Sequence, residues 1–141
     1  MPYESLIFLL GAFVIAFPFL TTMKHCLDQM APENRRLRRS QLWLNLIPVF
    51  NLFWVFVTAL RFSDSFKAEM QRRPGSTTLA QSRKGLVTAT LFVIFMVTLP
   101  TGFLSWLTFG LWILALAFYW KEIVMKMVWL MKNPAPSRQA R

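Results

Sequence analysis

Two asparagines and a proline are the residues of this sequence best placed to do chemistry. Asn45, Pro48 and Asn51 recur every three positions inside QLWLNLIPVFNLFWVFVTAL, Gln41 to Leu60. A proline removes a backbone donor and clashes with the turn before it. A helix broken there exposes carbonyls and amides that can bind an ion or a lipid headgroup. The plainer reading is structural: the two Asn amides satisfy the backbone groups that Pro48 frees.

Other candidates offer less. His25 and Cys26 lie near Asp28, but one His and one Cys are too few for a metal or haem site in a single chain. A lone thiol also makes no internal disulfide. Met125, Met127 and Met131 carry soft sulfur suited to Cu(I), yet helical packing explains them more simply. The sequence has no Ser/His/Asp set, no paired carboxylates in one pocket and no glycine-rich phosphate loop. It reads as a non-enzyme, with no cofactor and no metal. The six acids, Glu4, Asp28, Glu33, Asp64, Glu69 and Glu122, fall near ends or connectors. An acid or base within an apolar run, the usual mark of a proton-coupled carrier, is missing.

The elements that must hold these residues are apolar. Hydrophobic residues make up 55% of the 141 positions and aromatics 16%, with 14 Phe and 6 Trp. Mean hydropathy is +0.43. A water-soluble domain of this size cannot hide so much apolar surface, so lipid is the expected solvent for part of it. Net charge is +10. The cations are excluded from the apolar runs and flank them, as in a membrane protein rather than a nucleic-acid binder.

Four apolar segments follow. Leu6 to Thr22 is uncharged and predicts a transmembrane helix over about 5–23, with Ser5 as a cap and Pro18 as a possible kink. Its start lacks the basic n-region of a signal peptide. Ala12 and Ala16 could admit a neighbouring helix. Pro32 suits a first helical turn, predicting a helix through Leu37 to Ile47, a break at Pro48, and a short second helix from Leu52 to Leu60 capped by Asn51. Phe62, Phe66 and Met70 repeat every four residues, so 61–73 reads as a separate amphipathic helix on the membrane surface. Glu69 pairs with Arg73 across one turn. Pro74 and Gly75 end that helix, and Thr77 or Thr78 caps the next.

Leu86 to Trp120 is 35 residues without a charge. One helix of that length would run to roughly 52 Å, too long for a bilayer. Pro100, Thr101 and Gly102 divide it into a hairpin, with transmembrane helices over about 79–99 and 103–125. Arg83 and Lys84 snorkel at the entry, and Tyr119 and Trp120 mark the exit. Glu122 and Lys126 form a favourably oriented pair. Residues 1–132 read as a single helical membrane domain and 133–141, with Pro134 and Pro136, as a disordered basic tail. No internal repeat is visible.

Cation placement sets the topology. None of the 16 Lys and Arg precedes the first span; five lie in the first connector, six in the second and five from Lys121 onward. If 41–60 is re-entrant, all of them share one side. If it crosses, they are divided. The bias of short cytoplasmic loops towards Lys and Arg favours the re-entrant arrangement, with the C-terminus cytoplasmic. The fold class expected is an all-α integral membrane protein: three transmembrane helices plus a proline-broken re-entrant or fourth membrane segment.

The runs Arg38 to Ser40, then Trp43, then Ile47 to Trp54 (IPVFNLFW), then Ser63 to Ser65 resemble a family of small bacterial membrane proteins of unknown function. Its members show a Trp, a Pro-x-x-Asn core and flanking basic residues. The resemblance covers about a quarter of the chain. It implies the bacterial cytoplasmic (inner) membrane and brings no activity.

These features point to a structural or accessory subunit of a larger membrane complex. The alternative is a homo-oligomeric channel or small-solute pore lined by Asn45–Asn51. Membrane lipids, anionic ones above all, are the expected partners, with Arg35, Arg36, Arg38, Arg39, Arg72 and Arg73 as their contacts. A larger complex or self-association is expected beside them, and nucleic acid is not.

Overall fold

A computed structural model describes residues 3–73, 83–101 and 103–134. Pro74, Gly75, Thr77, Thr78 and the tail beyond Pro134 lie outside the described residues. Among those residues every regular element is helical. The chain runs α1 (Tyr3–Asp28), a 3-10 turn (Pro32–Asn34), a 3-10 helix (Arg39–Leu46), α2 (Pro48–Met70), α3 (Lys84–Thr98), a 3-10 turn (Leu99–Thr101) and α4 (Phe103–Lys132).

Two of these helices, Leu6–Asp28 within α1 and Phe103–Lys132, are long and apolar enough to cross a membrane. Lys84–Thr98 is apolar but shorter. Its 15 residues extend roughly 22 Å. The hairpin divides where its proline predicts: α3 stops at Thr98, Pro100 lies in the turn, and α4 starts at Phe103. The hydroxyls of Thr98 and Thr108 meet across it at 2.7 Å.

α1 continues through Pro18. The hydroxyls of Thr21 and Thr22 donate to the carbonyls of Phe17 and Pro18 at 3.0 and 2.9 Å, adding bonds to the helix where proline removes one.

The centre of the chain departs from the sequence expectation in three ways. The stretch from Pro32 to Ile47 is not one α-helix but a 3-10 turn, an extended link and a 3-10 helix. Pro48 does not interrupt a helix; it opens one. At the first turn its missing N–H has no intrahelical partner to lose, and Ile47 before it is extended (φ −87°, ψ 109°), as a residue preceding proline must be. Asn51 is therefore not a cap. Its backbone N–H bonds the Ile47 carbonyl at 2.8 Å inside the first turn. Finally, α2 does not stop at Leu60. It absorbs the helix expected over 61–73 into one 23-residue rod.

Cross-bonds give the path of the connector. The Ala31 N–H and the Asn34 amide reach Glu69, the Arg36 N–H reaches the Ser65 hydroxyl, and the Gln41 carbonyl accepts from the Trp54 indole. Partner numbers fall as chain numbers rise. The connector thus descends beside α2, and α2 brings the chain back to the end it left.

The C-terminal ends of α1, α2 and α4 and the start of α3 meet at that end. The opposite end is aromatic. Phe8 lies 4.5 Å from Trp106 and 5.2 Å from Phe109, and Phe95 stacks on Trp112. α3 enters tightly: a Cβ on Gly85 would come within 2.8 Å of the Tyr119 ring and 3.2 Å of the Ala59 methyl. Glycine allows that approach between helices.

Candidate functional site

The Asn45, Pro48 and Asn51 stretch is the joint between the 3-10 helix and α2. Asn45 is buried. Its amide donates to the Leu42 carbonyl at 2.8 Å and to the Thr58 hydroxyl at 3.0 Å, and the Thr58 hydroxyl returns a bond at 3.3 Å. This side chain locks the joint onto α2. Asn51 is different. Its Oδ1 is buried and has no hydrogen-bond partner among the described residues.

Both asparagines border a cavity of about 110 Å³ between the four helices, lined mostly by apolar side chains such as Leu20, Phe92 and Trp112. A mostly apolar space of this size stays dry or takes a short piece of hydrocarbon.

The two roles predict different mutants. Asn45→Leu strips partners from Thr58 and the Leu42 carbonyl, and is expected to cost about 1–3 kcal/mol. Asn51→Leu removes an unpaired buried oxygen and is expected to be neutral or stabilising. Thermal unfolding of the detergent-solubilised variants, followed by tryptophan fluorescence, gives the order. Equal losses would reject the lock.

The strongest polar cluster lies at the other end of α2. Glu69 and Arg73 are an ion pair at 2.5 Å with side chains 1% and 3% exposed. All five guanidinium N–H groups are engaged. Nε and Nη2 donate to one Glu69 oxygen, Nη2 also to the Gln29 carbonyl at 2.7 Å, and Nη1 to the Leu130 and Asn133 carbonyls at 2.6 Å each. The second Glu69 oxygen accepts from the Asn34 amide at 2.6 Å and the Ala31 N–H at 3.0 Å. Burial alone would raise the Glu69 pKa. The bonds from Asn34, Arg73 and Ala31, with the Arg73 charge, overcome it and hold the carboxyl below its ordinary value. Arg73 satisfies carbonyls at the ends of α1 and α4, where helices leave acceptors open and the dipole favours a cation.

A second buried pair lies on α4. The Lys126 ammonium is 2.6 Å from Glu122, with side chains 2% and 1% exposed. It sits 5.1 Å from the Phe66 ring centroid and 5.8 Å from that of Phe62. Lys84 approaches Glu122 at 3.9 Å from the start of α3. α3 and α4 thus share one charge cluster, against which α2 sets the rings of Phe62 and Phe66.

The six arginines expected to contact lipid separate. Arg73 is turned inward, so it is not a surface contact. Arg35 is half-buried and donates to the Met30 carbonyl at 2.8 Å. Arg39 pairs with Asp28 and Arg72 with Glu33, both at the surface. Arg36 and Arg38 are exposed. His25 and Cys26 do not form a cluster with other ligands; no group of three His, Cys, Asp or Glu able to hold a metal ion occurs among the described residues.

Sequence reasoning found both i,i+4 pairs but not their burial. A signal was present. Trp112, Leu116, Tyr119, Ile123, Lys126 and Leu130 are all buried and recur every three or four residues, the spacing of one helix face. Lys126 falls on that face, and Lys121 and Lys132 do not.

Protein-family models, curated proteins and solved structures were each compared with the chain, and none matches.

Proposed function

We propose that the chain is a small integral protein of the bacterial cytoplasmic membrane that serves as an accessory packing subunit of a larger membrane complex. In this reading α1, α3 and α4 cross the bilayer. The 41–60 segment enters as a 3-10 helix and leaves as α2, and the cationic end faces the cytoplasm. The proposal extends to the family resemblance noted above.

The observation that carries it is the division of labour between the two surfaces. Polar side chains such as Arg73, Glu69, Lys126 and Asn45 are turned inward onto helix ends and one another. Apolar side chains such as Phe13, Phe53, Trp106 and Leu111 are exposed along the rods. A scaffold arranged so offers lipid and neighbouring helices a surface for packing. The antiparallel path of the connector beside α2 supports the re-entrant topology. Asn45 is turned onto Thr58 within the molecule, away from any surface that a pore between copies would use, which favours packing over conduction.

Gentle native extraction should bring a larger membrane protein along at fixed stoichiometry. Isolation of a stable chain alone, with no complex altered by its deletion, would reject the accessory role. Topology has its own test. Arg72 is exposed and Cys26 buried, so an Arg72→Cys variant in a Cys26→Ala background presents one accessible thiol. An impermeant maleimide should label it only after cells are permeabilised. Labelling of intact cells would refute the re-entrant arrangement.

A further inference from the structure

A second cavity, of about 580 Å³, opens between α2, α3 and α4. It lies within the range of roughly 300–1,000 Å³ for small-molecule sites. Its polar lining comprises Ser63, Asp64, Lys67, Arg83 and Lys126, and its apolar lining includes Ala59, Leu60 and Leu86. From this we propose that the cavity binds the phosphate ester headgroup of an anionic phospholipid.

Charge supports this. Three cations, Lys67, Arg83 and Lys126, line it against one acid, Asp64, and the Lys126 ammonium also pairs with Glu122. Lys67 and Arg83 are exposed at the rim, whereas Lys126 is buried at the floor beside Tyr119. The positive end of the α3 dipole lies here too, and its first turn holds no acid. Guanidinium forks, ammonium groups and helix N-termini all recognise phosphate.

The polarity gradient selects a lipid over a soluble ion. Ser63, Asp64 and Lys67 follow Ala59 and Leu60 along α2, while on α3 Leu86 and Val87 follow Arg83 and Lys84. Both helices therefore pass from charged to apolar in the same direction, the order met by a headgroup and its acyl chains. The basic residues Arg35, Arg36, Arg38 and Arg39, by contrast, line neither of the two cavities described. A lipid seated here would tie α2, α3 and α4 together, since all three line the cavity.

This inference rests on the membrane reading, and the experiment separates the two. Membranes holding the full-length protein are first washed with alkaline carbonate. Release of the protein would overturn both readings. The retained protein is then reconstituted in vesicles of phosphatidylcholine and phosphatidylglycerol in equal parts, extracted mildly, and its bound lipid counted by native mass spectrometry. Phosphatidylglycerol should be retained over phosphatidylcholine. Each cation near an anionic surface contributes roughly fivefold in affinity, so Lys67→Ala with Arg83→Ala should weaken retention roughly twenty-five-fold.

The control pair, Lys121→Ala with Lys132→Ala, removes the same charge from exposed positions outside the cavity and should change retention little. An equal loss from that pair would show a general surface attraction and overturn the site. Ser63→Phe narrows the cavity without changing charge and should also lower retention; unchanged retention would overturn it. Glycerol phosphate alone should stabilise the protein less than phosphatidylglycerol. Equal stabilisation would reassign the cavity to a soluble phosphate ester and overturn the lipid assignment.

Discussion

Replacing Arg73 by methionine is expected to lower stability by about 3–5 kcal/mol, the usual cost of removing one partner from a buried ion pair. The loss has two sources. Glu69 keeps its bonds from Asn34 and Ala31 but retains a buried charge with no counter-ion beside it. The carbonyls of Gln29, Leu130 and Asn133 lose the donor that joins the ends of α1 and α4 to α2. Arg73→Lys should recover only part of this, because an ammonium is a point donor and cannot span four acceptors as a planar fork does. The double variant Glu69→Gln with Arg73→Met should cost less than the sum of the singles, since neither leaves the other's charge unpaired. Chemical unfolding of the purified protein in detergent measures all four. A loss below about 1 kcal/mol for Arg73→Met, the range of a surface pair, would show that the clamp does not hold the helix ends.

The same carboxyl makes stability depend on acid. Glu69 is held below its ordinary value of 4.5 in the folded protein. Its contribution is therefore complete above the unfolded value near 4.5 and is lost as pH falls through the lower folded value. Wild type should lose stability in that acidic window, and Glu69→Gln should show a shallower loss there.

How far this architecture could be read from the residues depends on the element. The apolar runs gave α1 and α4 their approximate places because length and absence of charge suffice. Pro100 marked the hairpin because no helix continues easily through Pro-Thr-Gly. Pro48 marked a boundary too, but a proline that ends one helix and a proline that begins the next look alike in sequence. The surroundings decide: Trp43 packs on Phe17 at 5.5 Å and Trp54 holds the Gln41 carbonyl at 2.7 Å. Those distant contacts favour a 3-10 path up to Pro48 and free α2 to begin on it. The charged pairs were visible at i,i+4, but such a pair is the same string whether it lies in water or against Phe62 and Phe66. Only the face it shares with Tyr119 and Ile123 distinguishes the two. The expected roles of Arg35 to Arg39 and Arg73 show the same limit, since a basic run does not reveal which guanidinium turns inward.

Lys126→Met is the complementary case on α4 and is expected to cost about 3–5 kcal/mol as well. It leaves Glu122 buried beside the Lys84 ammonium at 3.9 Å, a longer pair made from a side chain that is itself half exposed. The rings of Phe62 and Phe66 lose a cation that they partly desolvate; such contacts contribute about 0.5–2 kcal/mol. Glu122→Gln should be damaging for the opposite reason, because Lys126 then keeps its charge while the carboxylate at 2.6 Å becomes a neutral amide. The pair as a whole is another matter. Buried ion pairs are often no better than apolar residues of equal volume, so Glu122→Gln with Lys126→Met should return close to wild-type stability. That result would separate holding the bundle from a further role, since a double variant that folds normally yet fails to co-purify with its complex or to retain anionic lipid would assign the charges to recognition. If instead the double variant loses as much as the two singles combined, the charges act independently and the cluster joining α3 and α4 is not a unit.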